Sequence, residues 1–166
     1  KDNKTGLNVD IAFNRDDGIY GCLVTVFSGI LYPELRPLYF VLKSFLRERE
    51  LDQTRKGGVC SFMLINMLVY FLQQQYKEGK VDLMLHFHLF EFFKFFGIQH
   101  NTREVGFSIR GGGYAFCKND ASLGKDGRVD GKLYMESPIN VLDDVGVGAF
   151  QYSVVKKHFK LAYELL

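Results

Sequence analysis

The sequence predicts a mainly α protein with a small β component, an α+β fold. Three observations carry this. Five stretches, near 19–30, 37–51, 59–75, 82–96 and 150–166, read as helices, several of them with apolar residues at three- and four-residue steps. After Gly97 the pattern changes to short extended runs separated by glycines. The composition, 47% hydrophobic and 24% charged, is that of a globular chain rather than a disordered one.

Leu7 to Phe13 alternates, with Val9, Ile11 and Phe13 on one face and Asn8, Asp10 and Ala12 on the other. It reads as a single strand. One strand is no sheet, so its partners are expected from a missing segment, another chain or the glycine-rich pieces downstream. Asn14 to Gly18 is a polar turn, followed by a helix from Ile19 to about Ile30. Pro33 and Pro37 break and restart the chain, because proline is well tolerated in a first helical turn. In the next helix Leu38, Leu42, Phe45 and Arg49 share a face. A long apolar helix follows to Gln75, and Gln73 to Lys80 makes a polar connection.

Asp82 to Phe96 is rich in aromatics and apolar over most of its circumference. It is therefore expected to be central, with Gly97 as its C-cap. Phe107 to Arg110 and Tyr114 to Phe116 flank Gly111-Gly112-Gly113 as a pair of short strands around a turn. Asp120 to Gly131 reads as loop, Leu133 to Pro138 as extended, and Asn140 to Gly148 as a polar loop. Tyr152, Val155, Phe159, Ala162 and Leu166 form one stripe of the closing helix.

At 166 residues the chain is one ordinary domain. A net charge of +2 gives no compositional case for nucleic acid, so any such groove must be local. Cys22, Cys60 and Cys117 are odd in number, widely spaced and without a metal-ligand pattern. They predict buried thiols in an intracellular, reducing compartment. No signal peptide is expected from the polar start, Phe62 to Leu72 is too short to span a bilayer, and no membrane partner is expected. The chain starts at Lys1 without Met and is expected to be a piece of a longer protein.

The stretch from Pro37 to Gln75 holds the densest candidate chemistry. Lys43 and Arg47 project from one helix face a turn apart, where like charges repel unless an anion or water lies between them. Gly57-Gly58 offers a backbone without Cβ atoms, able to take positive φ and approach a ligand closely. A helix starting near Val59 or Cys60 would present free amides beside the Ser61 hydroxyl, and about half a positive charge, all suited to phosphate. Two readings stand: a triphosphate cradle, or a helix–turn–helix with a solvated basic face and a small-residue packing contact.

Other positions divide similarly. Asp10 is either a carboxylate presented from a sheet for a metal or as a base, or an edge residue facing water. Asp143-Asp144 holds a base or a metal, or caps a turn. Phe62 stacks on a base or belongs to the core. His86 and His88 lie on different faces and cannot share an ion, and His158 has no evident chemistry.

Several motifs occur in order: Val9-Asp-Ile-Ala-Phe-Asn14 with Asp17-Gly18, Leu42-Lys43-Ser-Phe-Leu, Gly57-Gly58-Val-Cys-Ser61-Phe62, Gly106-Phe-Ser-Ile-Arg110-Gly-Gly-Gly, and Ser137-Pro138 ahead of Asp144-Val-Gly146. Together they resemble the noncanonical poly(A) polymerases of the Trf type, within the DNA-polymerase-β-like nucleotidyltransferases. The resemblance runs from Val9 to Leu166. It implies a helical central domain over 19–166 with a nucleotide-recognition loop at 138–150. It also implies a palm remnant over 1–18, one strand of an otherwise missing sheet.

By that resemblance Asp10 matches the third catalytic carboxylate and metal ligand, and Asn14 lies in the turn after it. Lys43, with Arg47 beside it, matches the helix cation that contacts the triphosphate. Gly58 and Ser61 open the helix toward phosphate, Phe62 stacks on the base, and Asp143 and Asp144 stand at the recognition loop's Asn-Asp step. Implied with them are Mg2+ or Mn2+, ATP as substrate and transfer of AMP to RNA 3′ ends. A zinc-knuckle RNA-binding protein and an RNA helicase are implied as partners, and nuclear residence as location, with the cytoplasm as the alternative. The departures are Phe62 for the usual tyrosine, Val147 for an arginine, Gly148-Ala149 for a small polar pair, and Asp17 where Asn is usual. No Gly-Ser motif with an Asp-x-Asp pair precedes Asp10, so the chain alone is expected to be inactive. The alternative is a non-catalytic module of the same descent, retained for RNA or protein binding.

Overall fold

The helix Ser61–Lys77 is the axis of the molecule, because eleven of its seventeen residues are buried, from Met63 to Gln75. In the computed structural model, residues 4–6, 17–80, 84–118 and 132–166 are described. Within them α1 spans Asp17–Leu31, α2 Leu35–Arg47, α3 Ser61–Lys77, α4 Leu85–Lys94 and α5 Tyr152–Leu165. The strands β1 Val105–Ser108, β2 Tyr114–Cys117 and β3 Met135–Glu136 complete the fold. A mainly helical α+β chain is what the sequence predicts. The expected strand at Leu7–Phe13, with Asp10, the turn residue Asn14, and the loop at Asp120–Gly131 lie outside the described residues.

α2 shows how pattern becomes packing. Leu35, Leu38, Leu42 and Leu46 form its buried stripe against α3. The helix starts two residues before Pro37, which sits in the first turn where its missing N–H is not needed. It ends at Arg47 rather than at 51, because Glu50 adopts φ 56 and the Leu51 N–H returns to Leu46 O. That left-handed step turns Leu51 into the core. Arg49, at the end of the expected stripe, covers Phe45 instead, with its guanidinium carbon 3.8 Å from the ring centroid.

The aromatic α4 is central on one face only, through His88, Phe92 and Phe93. Phe92 and Phe93 are buried, whereas Met84, Leu85 and Phe87 at its start are exposed, so α3 takes the position expected of it. After Lys94 the helix widens into a π turn, Phe95–Gln99. Gly97 lies inside this turn and is not a cap: a Cβ there would meet the Lys160 backbone nitrogen at 2.5 Å. Its function is to let α5 pack closely. Tyr152, Val155 and Phe159 are the buried stripe of α5, and Phe159 contacts the rings of Phe45, Phe92 and Phe93. Leu166, expected on that stripe, is exposed.

The sheet order is β2-β1-β3, with β1 antiparallel to β2 and parallel to β3. The three glycines between β1 and β2 all have positive φ, as the tight connection requires. Gln73 of α3 donates to Ile109 O at 2.9 Å and fastens the hairpin to the central helix. Among the cysteines, Cys22 and Cys117 are exposed and only Cys60 is half-buried, contrary to the expectation of buried thiols.

Candidate functional site

α3 begins where the chain from α2 folds back over itself. Gly57 takes φ 78 at the end of a short 3-10 turn, Thr54–Lys56. The Gly58 N–H then donates to Gln53 O at 2.9 Å and the Val59 N–H to Leu51 O at 2.8 Å. A Cβ on Gly58 would lie 2.2 Å from Leu51 O. The close approach that this glycine permits is therefore to the Leu51 backbone. Cys60 precedes the helix in an extended conformation and gives no side-chain cap. The first amides of α3 and the exposed Ser61 hydroxyl thus face outward from a helix N-terminus.

The segment 138–150 packs onto this start from the other side. The Phe150 ring lies over Gly57, where a Cβ would meet it at 2.6 Å, and Gly148 rests on Thr54 and Met63. The Gln151 N–H donates to Gly57 O at 3.0 Å. Asp144 anchors the segment internally. Its Oδ1 accepts the Met135 N–H at 2.9 Å and the Gly146 N–H at 2.7 Å. Burial pushes its carboxyl above the ordinary carboxylate range, and those two amides pull in the opposite direction. Asp143 points the other way and accepts from the Asn140 amide at 3.1 Å.

Between these parts and α1 lies a cleft of about 680 Å³. Ser61, Phe62 and Ile65 of α3 form one wall, Ser137, Ile139 and Asp143 another, and Gly18, Gly21, Cys22, Thr25 and Val26 of α1 the third. Phe62 is half-buried, with its ring edge packed against Gly21 at 3.5 Å from the position a Cβ would take. One aromatic ring, a helix N-terminus with a hydroxyl and a carboxylate thus converge on a cavity of ligand size.

Of the residues singled out by sequence, the structure brings Ser61, Phe62 and Asp143 to this cleft. Asp144, Gly58, Lys43 and Arg47 are not among its lining residues. Of the two occupants expected between the cations, an anion or water, the chain itself supplies an anion. Lys43 Nζ lies 3.2 Å from Asp52 Oδ2 and donates to Asp52 O at 3.2 Å, and Arg47 Nε is 3.8 Å from the same carboxylate oxygen. Sequence reasoning passed over Asp52 because it lies beyond the helix. It also missed the α1 wall, although Gly18, Gly21 and Thr25 are spaced to share one small-residue face. Among the described residues no group of three or more His, Cys, Asp or Glu is placed to hold a metal ion. No single helix among them is long and apolar enough to cross a membrane, although α1 and α2 pass that test as a pair bent by 118°.

The mainly helical α+β architecture, with its small three-stranded sheet, is that of a nucleotidyltransferase-type fold. The solved structure described as the polymerase core of TRAMP, a RNA surveillance complex, matches with a TM-score of 0.82 at 24% identity. That match covers 92% of this chain and 49% of that one, and establishes the fold. Residues 85–141 match the family model described as PAP_assoc, Cid1 family poly A polymerase. Poly(A) RNA polymerase CID14 of Cryptococcus neoformans is 35% identical over 165 residues, 96% of this chain and 21% of the relative. Poly(A) RNA polymerase cid14 of Schizosaccharomyces pombe is 31% identical, covering 98% of this chain and 24% of the relative. Poly(A) RNA polymerase gld-4 of Caenorhabditis elegans is 29% identical over 99% of this chain and 20% of its own length. The chain is similar to the noncanonical poly(A) polymerases and spans about a fifth to a quarter of these relatives.

Proposed function

We propose that the chain is the nucleotide-holding part of a template-independent RNA 3′-terminal nucleotidyltransferase that adds AMP from ATP. The observation that carries this is the cleft itself, where the Phe62 ring, the Ser61 end of α3 and Asp143 line one cavity. In this reading the base stacks on Phe62, an interaction of about 1–3 kcal/mol where it occurs. The phosphates lie toward the α3 N-terminus and Ser61, whose amides and hydroxyl donate to them. Lys43 and Arg47 offset the charge of the outer phosphates, and Asp143 accepts hydrogen bonds from the base or sugar.

Attack of the RNA terminal hydroxyl on the α-phosphate, which breaks the α–β phosphoanhydride bond and releases pyrophosphate, needs a divalent ion, Mg2+ or Mn2+ by the family resemblance. The carboxylates that hold it would include Asp10 and others outside the described residues. Partners of the zinc-knuckle and helicase kind, and nuclear residence, belong to the same proposal. They are open to co-purification and microscopy of the full-length protein. A second reading, a non-catalytic RNA- or protein-binding module, has one observation in its favour: Lys43 is already neutralised by Asp52.

Tailing of an RNA oligomer with ATP separates the two. The full-length protein is expected to extend the oligomer, and Asp10→Ala to lose at least a hundredfold in rate, since in-line transfer depends on the metal that this carboxylate helps to hold. Undiminished tailing by the variant removes Asp10 from the mechanism. No tailing by the intact protein leaves the binding-module reading.

A further inference from the structure

The two cations of α2 share an occupant that the chain carries with it. Asp52 places one carboxylate oxygen 3.2 Å from Lys43 Nζ and 3.8 Å from Arg47 Nε. The Lys43 and Asp52 side chains are only 14% and 11% exposed, so their attraction is weakly screened, while Arg47 remains 72% exposed. We infer that Asp52 is an affinity-setting residue: its carboxylate competes with polyphosphate for Lys43 and Arg47. The inference rests on the nucleotide site proposed above and goes beyond it.

Asp52 cannot leave by a simple loop movement. Its neighbours on both sides are tied to the glycine turn that opens α3, Leu51 O by the Val59 N–H and Gln53 O by the Gly58 N–H. The Gly58 backbone also lies against Leu51, with no space for a Cβ. An arriving triphosphate therefore meets a fixed negative charge at the cations meant for it. It must either share Lys43 with the carboxylate or turn the Asp52 side chain away. Both lower the affinity for polyphosphate and neither affects an uncharged nucleoside. A purely structural Asp52 would have the opposite signature, because its loss would loosen Lys43 and weaken every ligand that uses it.

Asp52→Asn in the full-length protein separates these cases. Asparagine keeps the shape and an acceptor oxygen for Lys43 but removes the charge. The probes are inorganic tripolyphosphate and adenosine, titrated calorimetrically against wild type and variant. The expected result is tripolyphosphate binding about threefold to tenfold tighter in the variant, the span of a partly buried ion pair's strength. Adenosine binding is unchanged, and adding Lys43→Met abolishes the gain. Tripolyphosphate binding equal to or weaker than wild type, or undetectable in both proteins, overturns the inference. Should Asp52→Asn fail to fold, Asp52→Ser makes the same comparison. Tripolyphosphate needs neither base nor RNA, so a protein that tails nothing still gives this answer, and the two failures are distinguishable.

Discussion

His100 shows how a single buried residue sets a property of the whole fold. It packs between Phe95, Phe96 and Phe107, with its Nε2 unpaired and 5% of its surface exposed. Burial, then the nearby charges of Lys156 and Lys118, push its pKa down to about 4. In the unfolded chain the same ring titrates near 6.5. Between these values the unfolded state binds the extra proton, so stability is complete above about pH 6.5 and falls as the pH drops toward 4. The full effect is on the order of 3 kcal/mol. Denaturant unfolding at a series of pH values should show this decline, and His100→Gln should flatten it. An equal slope in the variant would assign the acid sensitivity to other groups, such as His88, whose pKa burial also lowers.

At the scale of elements, the periodicities of α2 and α5 were legible because each buries one stripe, Leu35, Leu38, Leu42 and Leu46 in the first and Tyr152, Val155 and Phe159 in the second. The boundaries were less so. Where α2 stops depends on Glu50 accepting a left-handed conformation, which no composition rule assigns to glutamate. Gly97 had the signature of a cap, yet its reason is tertiary: the backbone of α5 occupies the space a side chain would need. Similarly, the pairing of Lys43 with Asp52 depends on a turn that pattern alone does not specify.

The 138–150 segment divides its two carboxylates in a way that sequence could not decide. Asp144 is bound to the Met135 and Gly146 amides, and Asp143 opens to the cleft. Removing Asp144 by Asp144→Ala leaves both amides without an acceptor, at a cost of about 1–3 kcal/mol. Hydrogen exchange at Met135 and Gly146 is expected to accelerate by at least tenfold, while amides of the α3 interior keep their protection. Unchanged exchange at those two positions would mean that the segment is held without this carboxylate, by its packing on Gly57 and Thr54 and by backbone bonds such as Val145 N–H to Met135 O.

For the whole molecule, α1 is the least enclosed helix. Ile19, Phe27, Ile30 and Leu31 are all more than 60% exposed, and it separates the proposed nucleotide cleft from a second apolar cleft of about 540 Å³ lined by Tyr20, Phe27 and Val69. The α3 start and the C-terminal segment are joined through Gly57, Phe150 and Gln151, which sets the two cleft walls bearing Ser61, Phe62 and Asp143 beside each other. That surface gains its proposed function only if a nucleotide base rests on the Phe62 ring. Equilibrium binding of ATP to the full-length protein, wild type against Phe62→Ala, tests this most directly. The account predicts affinity lower by about tenfold or more, as the loss of a base–aromatic stack requires, with tripolyphosphate binding unaltered. Equal ATP affinity in a folded Phe62→Ala variant would place the nucleotide elsewhere.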